Sequence, residues 1–190
     1  MVTDAPDARI AAWRRDGLPP LDAEALFDRL PPVMPQDLLG AWKGEALPTR
    51  HPFDDVLGPL GWWGKRFHDV DRVDPLLFER RGVLHAVDPG LLPSALALHP
   101  PAFARRPAVR RLVQAILPLL ATRSPRARLR SVDRGGLSSA AMIYDDLPVI
   151  DHFRSVDAMR VLGLMDYRDM PAPFFFLLTR ANDTSSRPGA

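Results

Sequence analysis

Of the 25 lysines and arginines in this chain only two are lysines, Lys43 and Lys65, and both fall inside glycine–tryptophan motifs. Lysine differs from arginine in one chemically useful way. A desolvated amine can give up its proton and then act as a base or a Schiff-base nucleophile. In an extended segment Lys65 shares a face with Trp63, and Trp62 points to the opposite face. Lys65 enters an apolar interior if Trp63 does; otherwise it lies outward along its aliphatic stem. Asp151 and His152 are adjacent, so a regular strand sends them to opposite faces. Asp151 shares its face with Val149 and Phe153, and this apolar company makes it the inward candidate. An interior carboxylate needs a partner, and Lys65 or Arg130 could supply one, either as a structural ion pair or as an acid/base centre. His51, on a loop bracketed by Pro48 and Pro52, is a further acid/base or ligand candidate near a predicted mouth. Tyr144 ends a strand ahead of Asp145 and Asp146, where it would orient a ligand at the rim or close the core.

Other chemistries lack their residues. The chain has no cysteine, which removes disulfides, thiolate metal sites and cysteine nucleophiles together. Its five histidines include no helical pair with metal-ligand spacing, so no metal site is expected. No nucleophile elbow, phosphate loop or dinucleotide fingerprint is present. A net charge of +2 argues against nucleic-acid binding through phosphate neutralisation. The N-terminal stretch lacks the pattern of a signal peptide, and no apolar run approaches the ~20 residues of a membrane helix. A cytoplasmic location without membrane or nucleic-acid partners is therefore expected. A homodimer is compatible with the sequence.

The elements that must position these residues are mainly strands. Ala8–Asp16 and Asp22–Leu30 read as helices, the second capped by Asp22 and stopped by Pro31 and Pro32. Residues 1–37 form a helical extension. A glycine-flanked aromatic strand opens at Gly40, a second follows at Gly61–Phe67, and Leu76–Arg80 and Val83–Val87 pair as a hairpin around Arg81 and Gly82. Residues 93–125 break the pattern as a proline-rich insertion with one amphipathic helix over Ala108–Leu120, lying against the barrel or over it as a lid. Five apolar segments follow: Ala127–Asp133, Leu137–Tyr144, Val149–Arg154, Ala158–Asp166 and Phe174–Arg180. Their short polar connections describe an antiparallel meander. Residues 181–190 are a polar tail, expected to be disordered. The fold class is mainly β: one domain over residues 38–180, an antiparallel up-and-down barrel of about eight to ten strands with two or three short helices, closed because closure removes exposed edges.

The stretches Gly40–Gly44, Pro48–Pro52 and Leu60–Phe67 resemble the family named for its Gly-X-Trp-X-Gly motif. Ala127–Arg130, Met142–Phe153, Val161–Asp166 and Pro173–Phe176 resemble the uncharacterised bacterial domain that usually follows it. A looser similarity reaches the calycins: lipocalins, fatty-acid-binding proteins and nitrobindins. This resemblance implies a barrel that encloses a hydrophobic ligand, and it implies that Trp42 packs across the closed end against Arg180. It also raises haem as a cofactor held by His152 in the nitrobindin manner; otherwise no cofactor is expected. The expected function is binding of a small hydrophobic molecule in an interior lined by Trp63, Met142, Phe153, Leu164 and Phe176, with Lys65, Asp151 and Arg130 as polar groups. The rival is a cofactor-free isomerase or cyclase of secondary metabolism, using Lys65, Asp151, His51 or Tyr144 as acid or base.

Overall fold

Phe174, Phe175 and Phe176 are all buried although consecutive strand residues point to opposite faces, so the strand that carries them is covered on both sides. The computed structural model, which describes residues 6–91, 107–168 and 170–182, shows how. The strands are β1 (Gly40–Ala46), β2 (Trp62–Phe67), β3 (Val73–Arg80), β4 (Val83–Ala86), β5 (Ala127–Arg134), β6 (Leu137–Tyr144), β7 (Val149–Ser155), β8 (Arg160–Tyr167) and β9 (Phe174–Arg180). Their order is β2-β1-β9-β8-β7-β6-β5-β3-β4, and β2 also pairs with β3. Eight antiparallel strands therefore close on themselves, and β4 extends β3 as a ninth.

The seam between β3 and β5 is narrow, with Val73 opposite Ala127 as its paired position. Backbone bonds from Arg126 to Val73 and from Leu129 to Val70 extend it. Arg130 adds hydrogen bonds to Val70 O and Asp71. Arg130 is thus on the outer face, pinning the loop before β3, and not in the interior. Ala127 and Leu129 take the inward positions of β5.

Helices α1 (Pro6–Asp16) and α2 (Pro20–Arg29) precede the barrel. α2 starts two residues before the expected cap: Pro20 opens it and Asp22 lies in its first turn, so Asp22 does not cap it. Ile10, Trp13, Leu26 and Phe27 pack with Leu162, Leu164, Phe175 and Leu177 on the outer faces of β8 and β9. Leu164 therefore belongs to this outer layer rather than to the barrel lining. α3 (Leu57–Leu60) leads into β2, and α4 (Pro107–Ile116) is held by Gln114 Nε2 donating to Leu60 O at 2.5 Å. The first half of the predicted insertion and most of the predicted tail lie outside the described residues. Among the described residues no helix is long and apolar enough to cross a membrane.

Trp42 closes one end of the barrel. Its indole donates to Leu38 O at 2.6 Å, and the Arg180 guanidinium lies 4.3 Å from its ring centroid. Arg180 also donates to the carbonyls of Leu39 and Asp37, which ties the end of β9 to the entry of β1.

Candidate functional site

Two glycines shape the site. A Cβ on Gly44 would sit 2.5 Å from the Trp62 ring, so Gly44 leaves the space in which that indole lies. Gly64 has φ of +146°, and a Cβ there would fall 1.9 Å from Trp42 O, so only glycine fits. The β2–β3 register shifts on both sides of Gly64. Such a bulge offsets the alternation of side chains by one. Trp62, Lys65 and Phe67 are consequently the buried, inward side chains, and Trp63 is only half-buried. Lys65 is inward as expected, but its aromatic companion is Trp62 and not Trp63.

At the centre, Lys65 Nζ lies 2.8 Å from Asp151 Oδ2, with both side chains almost fully buried. The ammonium also donates to Pro75 O at 3.1 Å and to Tyr144 OH at 3.4 Å. Tyr144 OH donates to the same Asp151 oxygen at 3.5 Å. Three rings surround Nζ, with centroids at 5.0 Å for Phe176, 5.7 Å for Tyr144 and 5.8 Å for Trp62, within cation–π range. Met142 lies opposite Asp151 across the β6–β7 ladder and is fully buried. Phe153 contacts Phe67 and Phe176 edge to face, with centroids 5.9 Å and 6.2 Å away.

Burial raises the Asp151 carboxyl above the usual carboxylate range, and the charge and hydrogen bond of Lys65 offset part of this. The Tyr144 hydroxyl is pushed well up by burial and by the charge of Asp151, so it stays protonated. Two buried atoms of the cluster have no hydrogen-bond partner: Asp151 Oδ1, an acceptor, and Trp62 Nε1, a donor. A buried polar atom left unpaired costs about 1–3 kcal/mol, so such a pair calls for an explanation.

The other candidates lie elsewhere. His51 is at the opposite end of the barrel from Trp42, against Phe53 and Phe174. Its Nδ1 accepts the Phe53 N–H at 3.1 Å, and its ring also bonds the backbone of Ala172. Burial lowers its pKa to about 4, so the ring is neutral and braces its loop. The same loop turns through Arg50 at φ of +67°, where Asp54 Oδ2 accepts the N–H groups of Thr49 and His51.

His152 is on the outer face of β7, opposite Ala141 and Leu164. Burial, and next the charge of Arg134, lower its pKa to about 4. A haem inside the barrel would not meet this ring. Lys65, Asp151 and Tyr144, with Met142, Phe153 and Phe176, are the predicted residues that the fold brings together; Arg130, Trp63, Leu164, His51 and His152 are not among them. Trp62 was missed, and the signal for it was Gly64, because a glycine inside a strand marks a bulge.

Comparisons with known proteins agree with this architecture. Residues 25–82 match the family described as GXWXG protein, and residues 125–180 match the Domain of unknown function (DUF4334). No curated protein was found to match the chain. A crystal structure of a protein from Thermomonospora curvata is 32% identical, covers 93% of this chain and 99% of its own, and superposes with a TM-score of 0.67. Gly44 and Gly64 make room for the Trp62 ring and the Trp42 carbonyl, and with this motif and its C-terminal domain in order, the chain belongs to the GXWXG protein family.

Proposed function

We propose that the barrel interior binds one small, mostly apolar molecule whose polar end reaches the Lys65–Asp151–Tyr144 cluster. The observation that carries this reading is the unpaired acceptor and donor, Asp151 Oδ1 and Trp62 Nε1, in an otherwise apolar interior. Folding alone does not favour a charge pair at that place. Hydrophobic residues of similar volume are as stable or more so, and they leave no polar atom unpaired. A ligand that fills both positions accounts for their retention.

The test is titration of the full chain with Nile red, an uncharged apolar fluorophore. Saturable binding at one site per chain is expected, abolished by Met142→Trp, which adds bulk beside Asp151. Binding that survives this substitution unchanged, or no saturable binding at all, defeats the reading.

A second reading draws support from the raised Asp151 carboxyl: a cofactor-free isomerase or cyclase acting on a hydrophobic substrate. Lys65 and Tyr144 both bond the carboxylate oxygen, so a proton can pass among three groups beside a bound substrate. Multiple turnover of a candidate substrate that ends with Asp151→Asn or Lys65→Met is the expected outcome. Product formation unchanged in both variants rejects a catalytic role for the cluster.

A further inference from the structure

The chemical class of the ligand can be narrowed from the charges around the cluster; the argument rests on the interior-site reading above. Among the described residues, Lys65 and Asp151 are the charged side chains that face the interior, and they neutralise each other at 2.8 Å. The ammonium has three hydrogens and three acceptors: Asp151 Oδ2, Pro75 O and Tyr144 OH. It therefore has no donor left for an incoming anion. The unfilled acceptor belongs to a carboxylate, which repels an anion, and the unfilled donor is an uncharged indole.

Arg66, between the inward Lys65 and Phe67, takes the outward position of β2 with its Nη2 buried and unpaired, and the arginines of β5 and its approach are held by carboxylates. Arg126 pairs with Asp88, Arg128 with Asp145, Arg130 with Asp71 and Arg134 with Glu24. An ionised ligand would be an uncompensated charge in a low-dielectric interior, a situation that costs several kcal/mol.

We propose that the molecule bound in the barrel is electrically neutral and carries both a hydrogen-bond donor and an acceptor, as an alcohol, an enol or an amide does; it donates to Asp151 Oδ1 and accepts from Trp62 Nε1. Fatty acids and other apolar carboxylates are selected against. The ion pair is then a specificity device: Asp151 occupies the lysine that a carboxylate would otherwise seek.

The experiment compares dodecanoic acid, dodecanol and dodecanamide as competitors for Nile red on the full chain near neutral pH. The alcohol and the amide are expected to bind at least about tenfold more tightly than the acid. An acid that competes as well as the other two overturns the proposal while leaving the interior site intact. Failure of all three on a chain that does bind Nile red overturns it as well. Failure of Nile red itself takes down the site reading on which it rests. Asp151→Asn frees the ammonium and is expected to reverse the preference in favour of the acid. Trp62→Phe, which leaves Asp151 in place, is expected to weaken the alcohol and amide without helping the acid. A Trp62→Phe chain with unchanged affinity for all three overturns the proposal even if Asp151→Asn does not fold.

Discussion

The two faces of β9 are equally buried but differently finished. Outward, Phe175 and Leu177 meet Ile10, Trp13 and Phe27 from the N-terminal helices. The Trp13 indole there donates to Pro48 O at 3.0 Å. Arg154, at the edge of this layer, stacks its guanidinium on Phe27 at 5.3 Å and donates to the carbonyls of Arg134 and Leu137, although its Nε, like that of Arg134, is buried without a partner. Inward, Phe174, Phe176 and Leu178 join the barrel core, the Phe176 ring lies 5.0 Å from the Lys65 ammonium, and the Trp62 indole has no partner. Where the chain packs against itself for stability, it answers its tryptophan N–H. In the barrel interior, the Trp62 N–H and one Asp151 oxygen have no partner. The two faces differ in how their tryptophan N–H groups are met, by a backbone carbonyl outside and by no protein partner inside.

The largest expected effect breaks the charge pair. Lys65→Met leaves Asp151 buried and unpaired, and Asp151→Leu does the same to Lys65. Each is expected to cost about 3–5 kcal/mol in chemical denaturation, as removal of one partner from a buried pair does. The double variant is expected to recover most of that loss or to exceed the parent, because two apolar side chains fill the interior without unpaired charge. A double variant as unstable as the singles would show that the pair is there for folding, and the contrast between the faces of β9 would lose its meaning.

Two histidines sharpen the comparison, one at the end of the barrel opposite Trp42 and one on the outer face of β7. His51 and His152 each have a pKa lowered from 6.5 to about 4 in the folded protein, chiefly by burial. Between those values the unfolded chain holds the proton and the folded chain does not. Their contribution is therefore complete above pH 6.5 and is lost as pH falls towards 4. Allowing for partial screening by solvent, each amounts to ~2 kcal/mol. Denaturant midpoints measured down this range should fall steadily. His51→Phe and His152→Leu should each remove about half of the slope. A slope that neither variant changes would assign the acid sensitivity to the carboxylates.

Much of the fold could be read in the sequence because its signals are local. The segments Leu137–Tyr144 and Phe174–Arg180 have the expected bounds, and the hairpin at Arg81 and Gly82 forms. The site was harder to read wherever alternation lost its meaning. β8 carries apolar residues on both faces because helices cover its outside, so Leu164 could not be placed by its neighbours. In β2 the bulge at Gly64 moved Trp62 inward and Trp63 outward while still bringing Lys65 to the interior. Arg130 was legible but misread: Arg128 and Arg130 alternate with Ala127 and Leu129, and that pattern puts the arginines outside. Asp151 was placed correctly by Val149 and Phe153, since both belong to the interior core cluster.

The smallest effect gives the finest test, a matched substitution of tryptophan by phenylalanine on the two faces. Trp13→Phe removes a ring edge and one of the two donors to the Pro48 carbonyl, which keeps the Leu18 N–H. Trp62→Phe removes a similar amount of ring but also deletes a buried donor that had no partner. The packing loss is common to both, so the difference isolates the hydrogen bond. A typical hydrogen bond contributes about 1 kcal/mol, so the outer variant is expected to be less stable than the inner one by up to about that amount. With a saturating neutral amide present the order should draw closer, because the parent indole then has an acceptor and Trp62→Phe gives up that bond too. Equal losses in the free protein would mean that the Trp62 N–H is answered in solution by water, and water would then be sufficient reason for the open donor.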